Sequence, residues 1–268
     1  MDSSPLSPVR RESPPPWMRL ALLALAALVA GPALAQVNTE RMRRALDDDG
    51  VRLSLDATAG FATGNTEYLR ASLGARTDWL RGPHAAFVVG QAAFSRADGD
   101  VFLDRQFAHA RYGRDVGAGW SVETFVQAER NRQQLLESRT LLGAGVRVDL
   151  ASRDAVDLAL GVTPMVERER LDAETGEPTA TVGRLSTSLS GRLALGEGTA
   201  SAVVYVQPRF DAPGDTRALG QASIEVGLTR ALRLRVQANV RHDSRPPLGV
   251  EPTDVSVEQG IVVVLPAR

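Results

Sequence analysis

Alternation of polar and apolar residues with a period of two is the feature that most restricts how this chain can fold. The segment LRLRVQANVRHD, residues 232–243, places Arg233 and Arg235 on one face and Leu234 and Val236 on the other. Successive side chains of a β-strand point to opposite faces, so the segment is predicted to be a strand with one polar and one apolar face. The same alternation begins at Val51 and continues, interrupted by turns, almost to the C-terminus.

Twelve strands are predicted in this way. Strands three and four alternate poorly, because the segment AAFVVGQAAF is apolar on both faces. The pattern predicts an all-β fold, a single antiparallel up-and-down β-sheet. The predicted ranges are 51–62, 67–80, 85–96, 101–113, 119–130, 138–150, 155–166, 181–195, 200–210, 216–228, 232–243 and 253–265.

The connections differ between the two ends of this sheet. Those after even-numbered strands are short, whereas those after odd-numbered strands vary and three are long: NRQQLLE, ERERLDAETGEPTA and SRPPLGVEP. Transmembrane β-barrels have short periplasmic turns, long extracellular loops and an even number of strands. The sequence therefore predicts a transmembrane β-barrel of about twelve strands with its long loops outside the cell.

The size of such a barrel decides which face points inward. Twelve strands around an apolar interior would leave a void that Ala, Val and Leu cannot fill, because barrel diameter grows with strand number. An Arg facing lipid at mid-membrane costs about 2–4 kcal/mol. We therefore expect the polar face to line the interior. The lumen-facing candidates are Arg52, Asp56, Arg70, Arg76, Asp78, Arg147, Arg184, Arg192, Arg233, Arg235 and Arg241.

A secretory leader is predicted before the strands. From Met18 the chain has a basic residue, a short apolar run and a small-residue cleavage site, so cleavage is expected after Ala35. Residues 1–17 are rich in Pro and Ser and precede a better start at Met18, so they are interpreted as a mis-assigned start or an extended leader. The expected organisation is a leader at 1–35, a short periplasmic segment at 36–50 and the barrel at 51–268.

Composition excludes several kinds of chemistry. All 31 basic residues are Arg, and there is no Cys. Lysine-based phosphate loops and Schiff bases, thiolate nucleophiles and disulfides are therefore absent. The three His residues lack metalloprotease spacing, so no metal or other cofactor is expected. The formal net charge of −1 gives no reason to expect a nucleic-acid partner.

His242 and Asp243 are the pair most suggestive of catalysis, since outer-membrane hydrolases build acid–base sites near their extracellular ends. Adjacent strand residues point to opposite faces, however, so these two side chains should not meet. His109 is interpreted as a lumen residue and His84 as a turn residue. No catalytic residue is predicted, and the protein is not expected to be an enzyme.

Two features leave alternatives open. The charged segment ERERLDAETGEPTA is interpreted as a surface loop, with contact to lipopolysaccharide as the alternative. The Arg-rich interior is either an ion-paired plug without conductance or a narrow passage lined by Arg. Acidic residues could pair with most of the arginines, which favours the plug. They include Asp56, Asp78, Glu123, Asp149 and Glu225.

Several segments together resemble the outer-membrane proteins of the domain-of-unknown-function 481 group, often called salt-induced outer-membrane proteins. They are GNTEYLRASLGARTDW, RYGRDVGAGW to FVQAERN, ESRTLLGAGVRVDL and RHDSRPPLGVEPTD. The resemblance implies a β-barrel in the outer membrane of a Gram-negative-type bacterium, without a family-wide catalytic residue or cofactor. One departure is the C-terminal sequence, Leu265 to Arg268, which lacks the terminal aromatic residue that the barrel assembly machinery recognises.

The expected function is that of a non-enzymatic outer-membrane barrel with an envelope structural or osmotic-response role and limited passive permeability. The alternatives are an outer-membrane lipase or protease and a soluble periplasmic lipid-binding barrel. The expected partners are outer-membrane lipid, lipopolysaccharide and the barrel assembly machinery.

Overall fold

Within the residues that the structure describes, the fold consists of twelve antiparallel strands. The computed structural model describes residues 49–63, 67–97, 99–229 and 232–263. The strands are β1 (Gly50–Ala62), β2 (Tyr68–Arg81), β3 (His84–Ala97), β4 (Asp100–Gly117), β5 (Trp120–Asn131), β6 (Leu136–Arg153), β7 (Val156–Leu171), β8 (Ala180–Leu195), β9 (Gly198–Pro208), β10 (Thr216–Gly227), β11 (Leu232–Asp243) and β12 (Thr253–Val263).

The predicted number and order of strands are confirmed, and the largest errors are at strand ends. β4, β6 and β7 run to residues 117, 153 and 171, three to five residues beyond their predicted ends. Irregularities at Asp115/Gly117 and Asp149/Ala151 shift the register in the ladders that β4 and β6 form with their partners. A bulge absorbs an extra residue without ending the pairing, so the ladder continues past the point where alternation fails.

Each strand pairs with its sequence neighbours, giving one up-and-down sheet in the order β1 to β12. The sheet is curled, as shown by the hydrogen bond that Arg217 of β10 donates to Glu169 of β7, three strands away. Among the described residues β1 and β12 are the unpaired edges, so the sheet is curled without being closed.

The two faces of the sheet have opposite chemistry. On β11, Val236 and Val240 are exposed, whereas Gln237, Asn239 and Asp243 on the other face are at most 7% exposed. The polar face is therefore the concave interior and the aliphatic face is the outer surface. A water-soluble protein has the reverse arrangement, because burial of apolar side chains drives its folding.

The connections define two ends of the curled sheet. The turn end carries residues 82–83, 118–119, 154–155 and 196–197 and the connection from β10 to β11. The loop end carries the longer connections, of which residues 172–179, 209–215 and 244–252 are the longest. The predicted asymmetry is present, although β7 contains the first part of the segment that was predicted to be a loop.

Some sequence-based predictions lie outside the described residues. They include the leader at 1–35, nearly all of the segment 36–50, the Gly64 to Thr66 turn and the C-terminal residues from Leu265 onward. Within the described part of the chain, no helix has the length and apolar character needed to cross a membrane.

Candidate functional site

The interior of the curled sheet contains the candidate residues predicted from sequence. The strand registers place all eleven on the same face of the sheet. Arg76, Asp78 and Arg184 are deeply buried, and Arg147 and Arg241 are largely buried. Arg52, Arg70, Arg192, Arg233 and Arg235 are more exposed and lie towards strand ends or the open edge. The side chain of Asp56 is outside the described residues.

Acidic residues pair with these arginines along the interior. Arg76 Nε donates to Asp78 Oδ2 at 2.7 Å, and its guanidinium lies 4.5 Å from the centre of the Phe87 ring. Four further pairs join Arg111 to Glu123, Arg147 to Asp149, and both Arg233 and Arg235 to Glu225. Asp78, Glu123, Asp149 and Glu225 are thus paired, as predicted for these acids.

The densest group of ion pairs lies near the loop end, and Arg217 is at its centre. Its guanidinium contacts Asp243 Oδ2 at 2.8 Å, Glu169 Oε2 at 2.9 Å and Glu167 Oε1 at 2.6 Å. Arg217 is 6% exposed, and all three carboxylates belong to other strands. One buried cation therefore joins β10 to its neighbour β11 and to the non-adjacent β7.

Two more buried arginines extend this group. Arg184 of β8 contacts Glu167 at 3.3 Å and Asp215 at 2.9 Å, and it also donates to two backbone carbonyls. Arg139 of β6 binds Glu169 through Nε at 2.7 Å and lies 3.8 Å from Glu129 of β5. We refer to these residues as the loop-end network. Its members are Glu129, Arg139, Glu167, Glu169, Arg184, Asp215, Arg217 and Asp243.

Most of the loop-end network was not among the candidates predicted from sequence. Glu167 and Glu169 were assigned to a surface loop, and that assignment is wrong. β7 continues to Leu171, so these carboxylates point inward while Arg168 and Arg170 point outward. The alternation in ERER was the signal that could have identified them.

Aromatic side chains on β3, β4 and β5 lie next to the loop-end network, with Phe107 paired with Glu129 and with Phe87 and Phe125 nearer the turn end. The buried His109 ring stacks against Phe87 and Phe125, each at 5.5 Å between centroids, and against Phe107 at 6.2 Å. Its Nδ1 lies 3.2 Å from Gln127 Oε1. We call Phe87, Phe107, His109 and Phe125 the aromatic layer. It explains in part why strands three and four alternate poorly, because Phe87 and Val89 of β3 and Phe107 of β4 are apolar residues at inward positions.

The space left inside differs along the axis. The cavity that touches the aromatic layer at His109 and Phe125 has a volume of about 40 Å³, enough for about three water molecules at most. A second cavity at the turn end has a volume of about 330 Å³ and is lined by charged residues that include Glu123 and Arg147. Glu123 and Arg147 line both cavities, and the larger of the two lies at the turn end.

The histidines do not form a catalytic arrangement, and the side chains of His242 and Asp243 do not meet, as expected from the sequence. His242 is exposed on the outer face, with Nδ1 2.9 Å from Thr253 Oγ1, whereas Asp243 points inward to Arg217. His84 lies 2.6 Å from the Tyr112 hydroxyl near the turn end. No group of three or more potential metal ligands occurs among the described residues.

The loop between β9 and β10 adds an exposed ion pair outside the strands. Arg209 Nη2 lies 2.7 Å from Asp211 Oδ2, and this hydrogen-bonded contact lowers the pKa of the Asp211 carboxyl below its ordinary value. Arg209 also contacts Asp215 at 3.1 Å. The loop is thereby attached to the loop-end network.

The model of the family described as "Protein of unknown function, DUF481" matches residues 55–264. The chain is a member of the DUF481 family. That match spans nearly all of the sheet and confirms the family resemblance noted in the sequence. Among curated proteins, no sequence matches this DUF481 protein.

Solved structures give weaker similarities. The NanC porin is 6% identical, with 80% of this chain and 99% of the porin covered at a TM-score of 0.47. The translocator domain of the autotransporter NalP from Neisseria meningitidis is 12% identical, with coverage of 93% and 94% and a TM-score of 0.37. The β-domain of the Bordetella autotransporter BrkA is 13% identical, with coverage of 80% and 97% and a TM-score of 0.35. These values are too low to support an assignment of function.

Proposed function

We propose that this DUF481 protein is an outer-membrane β-barrel without catalytic activity, whose interior is closed to solutes and which has a structural or osmotic-response role in the envelope. The observation that carries the proposal is the orientation of the sheet. Exposed aliphatic residues cover its outer face, while charged residues are buried inside. Lipid is the solvent in which this arrangement is stable.

The dimensions of the outer face fit a membrane. Trp120 and Arg130 lie on the outer face of β5, ten residues apart, with the exposed Val122 and Val126 between them. A rise of about 3.3 Å per residue gives about 33 Å along the strand. A barrel tilt of about 40° reduces this to about 25 Å, which is the height of the apolar band of outer-membrane barrels.

Aromatic residues occupy the turn-end boundary of this band. Trp79 and Tyr112 face outward in the same cross-strand row, both paired with Ala86 of β3, and Trp120 lies nearby on β5. Aromatic side chains are enriched at membrane–water interfaces, because one part of the ring system is apolar and another is polar. Outer-membrane barrels have their short turns in the periplasm and their long loops outside, so we infer that the turn end is at the periplasmic interface and the loop end at the cell surface.

The narrow cavity beside the aromatic layer favours the closed form over an open pore. The cavity that touches His109 and Phe125 has a volume of only about 40 Å³. The arginines of the loop-end network are bonded to carboxylates instead of facing an open passage. A hydrated ion would have to displace these contacts to cross.

Two measurements test the proposal. The parent protein should sediment with the outer membrane and should migrate differently on gels before and after boiling. In planar bilayers it should give no conductance steps, with a general diffusion porin as the positive control. Recovery of the mature protein in the aqueous fraction would refute the membrane assignment, and steady conductance would refute the closed interior.

Two double variants test whether the aromatic layer is the reason for the absence of conductance in planar bilayers. Phe87→Ala with Phe125→Ala removes two of the three rings stacked on His109 and should produce conductance. Val88→Ala with Val126→Ala is the matched control, because these are the next residues along β3 and β5 and face outward. The control should remain silent. If neither double variant conducts, the aromatic layer does not by itself close the interior.

A second candidate function is limited passive permeability to small solutes. The cavity of about 330 Å³ at the turn end favours it, because this space would admit a small polar molecule from the periplasm.

The osmotic part of the proposal is supported by the family resemblance. Growth of a deletion strain in high salt tests it, and growth equal to that of the parent strain would refute it.

A further inference from the structure

Three arginines form a cluster on the outer surface near the loop end. Arg130 lies on β5, and Arg168 and Arg170 lie on β7; all three are exposed on the aliphatic face of the sheet. We call these three residues the outer arginine patch. Charged residues on this face require a reason, because an Arg in contact with lipid at mid-membrane costs about 2–4 kcal/mol.

The strand registers locate the patch relative to the apolar surface. Val126, Leu142 and Val166 form one cross-strand row on the outer face, and each is about half exposed. The next row towards the loop end contains Ala128, Thr140 and Arg168.

Arg130 and Arg170 lie two residues further along their strands, nearer the loops, and Arg170 pairs with Ser138. The patch therefore begins where the apolar rows end. This is the height at which the headgroups of the outer leaflet lie if the loop end faces outward, and there the cost of an Arg falls to about 0–1 kcal/mol.

Carboxylates only partly neutralise the outer arginine patch. Arg170 Nη2 donates to Glu137 Oε1 at 2.5 Å, and Arg130 lies 3.7 Å from Asp104. Arg168 forms no ion pair within the described residues, and its partners on the adjacent strands are Thr140 and Thr181. Because these are small hydroxyl side chains, the Arg168 guanidinium is open to a ligand from the membrane side.

We propose that the outer arginine patch binds the phosphate groups of glycolipid headgroups in the outer leaflet. Guanidinium groups bind phosphate oxygens through two parallel charge-assisted hydrogen bonds, which a Lys ammonium cannot match. Arg168 and Arg170 are two residues apart on one face, about 6.6 Å along the strand, so both can reach one phosphorylated headgroup. The proposal rests on the proposed function, because it requires the loop end to be at the outer leaflet.

Binding of defined lipids to the purified, detergent-solubilised parent protein tests this proposal. The probes are lipopolysaccharide, the same lipopolysaccharide after enzymatic removal of its phosphates, and inorganic phosphate alone. We expect the parent protein to bind the phosphorylated lipid at least tenfold more tightly than either of the others. A tenfold difference corresponds to about 1.4 kcal/mol, close to the contribution of one hydrogen bond to a charged group.

Matched double variants assign the binding to the patch. Arg168→Ala with Arg170→Ala should weaken binding of the phosphorylated lipid about tenfold or more and leave binding of the dephosphorylated lipid unchanged. Arg81→Ala with Arg114→Ala is the control, because these two exposed arginines lie on the outward-facing positions at the turn end of β2 and β4. The control should bind like the parent protein. Arg168→Lys with Arg170→Lys should be intermediate, because charge is kept and the paired donors are lost.

The outcomes separate this proposal from the proposed function. If the parent protein is heat-modifiable and membrane-integral but binds both lipids equally, the phosphate site is refuted and the barrel assignment stands. Equal loss of binding in the turn-end control would also refute the site, as would inorganic phosphate binding as tightly as the lipid. A parent protein that is soluble without detergent would refute both proposals.

Discussion

Replacement of Arg217 by Ala tests whether the loop-end network stabilises the folded protein. Arg217 is 6% exposed and contacts Asp243, Glu167 and Glu169 within 2.9 Å. Removing one partner of a buried ion pair typically costs about 3–5 kcal/mol, because the remaining charge is left without compensation. Glu167 and Glu169 would each keep one other arginine, so we expect a loss of about 3 kcal/mol, at the lower end of this range.

Urea unfolding in detergent or lipid vesicles, followed by Trp fluorescence, measures the change. Arg170→Ala is the matched control, because it removes an exposed Arg–Glu contact whose side chains are 55% and 44% exposed. Such surface pairs contribute about 0–1 kcal/mol. Arg217→Lys should lie between the two, since a Lys keeps the charge but cannot reproduce the forked contacts.

The comparison of Arg217→Ala with Arg170→Ala can also contradict this reasoning. If Arg217→Ala and Arg170→Ala differ by less than about 1 kcal/mol, burial of the network does not raise its contribution above that of a surface pair. The same reasoning requires an unchanged dependence of unfolding on urea concentration, because a change would indicate an altered unfolded or native state instead of a lost ion pair.

Two further predictions concern the outer face and strand packing. Val126→Arg should destabilise the folded protein in lipid vesicles by about 2–4 kcal/mol if Val126 faces lipid, whereas a change within about 0.5 kcal/mol, as is usual at a water-exposed surface, would contradict that orientation. Gly145→Ala should cost about 1–3 kcal/mol, because its new Cβ would lie 2.6 Å from the Thr163 Cα. The control Gly90→Ala has no atom within 4 Å of the new Cβ and should be tolerated, and urea unfolding that gives both glycine variants equal stability would refute the packing argument.

The strand pattern could be predicted from sequence because the environment repeats along every strand. Each outward position meets one medium and each inward position another, so alternation at residues such as Arg233, Leu234 and Arg235 directly reflects the pleat. Strand ends were less predictable. β7 extends to Leu171 because the ERER segment keeps its alternation, but its high charge is also typical of a surface loop.

The contents of the interior could be predicted only in part. Alternation identifies which residues face inward, but not which of them meet across the sheet. Arg217 and Glu169 are 48 residues apart and three strands apart, so their contact depends on how strongly the sheet curls. The aromatic layer was missed for a related reason, because Phe87 and Phe107 are apolar residues at inward positions and the poor alternation of β3 and β4 did not identify their inward faces.

The inside-out arrangement changes which interactions determine the curl of the sheet. In lipid the outer aliphatic residues gain little free energy by packing against one another, since the surrounding medium is as apolar as they are. Backbone hydrogen bonds join each strand to its neighbours but do not by themselves fix how far the sheet bends. Contacts between non-adjacent strands can do so, and the described interior contains them where Arg217 of β10 contacts Glu167 and Glu169 of β7. Loss of Arg217 should therefore let the sheet flatten before it disrupts the backbone hydrogen bonds between any two neighbouring strands.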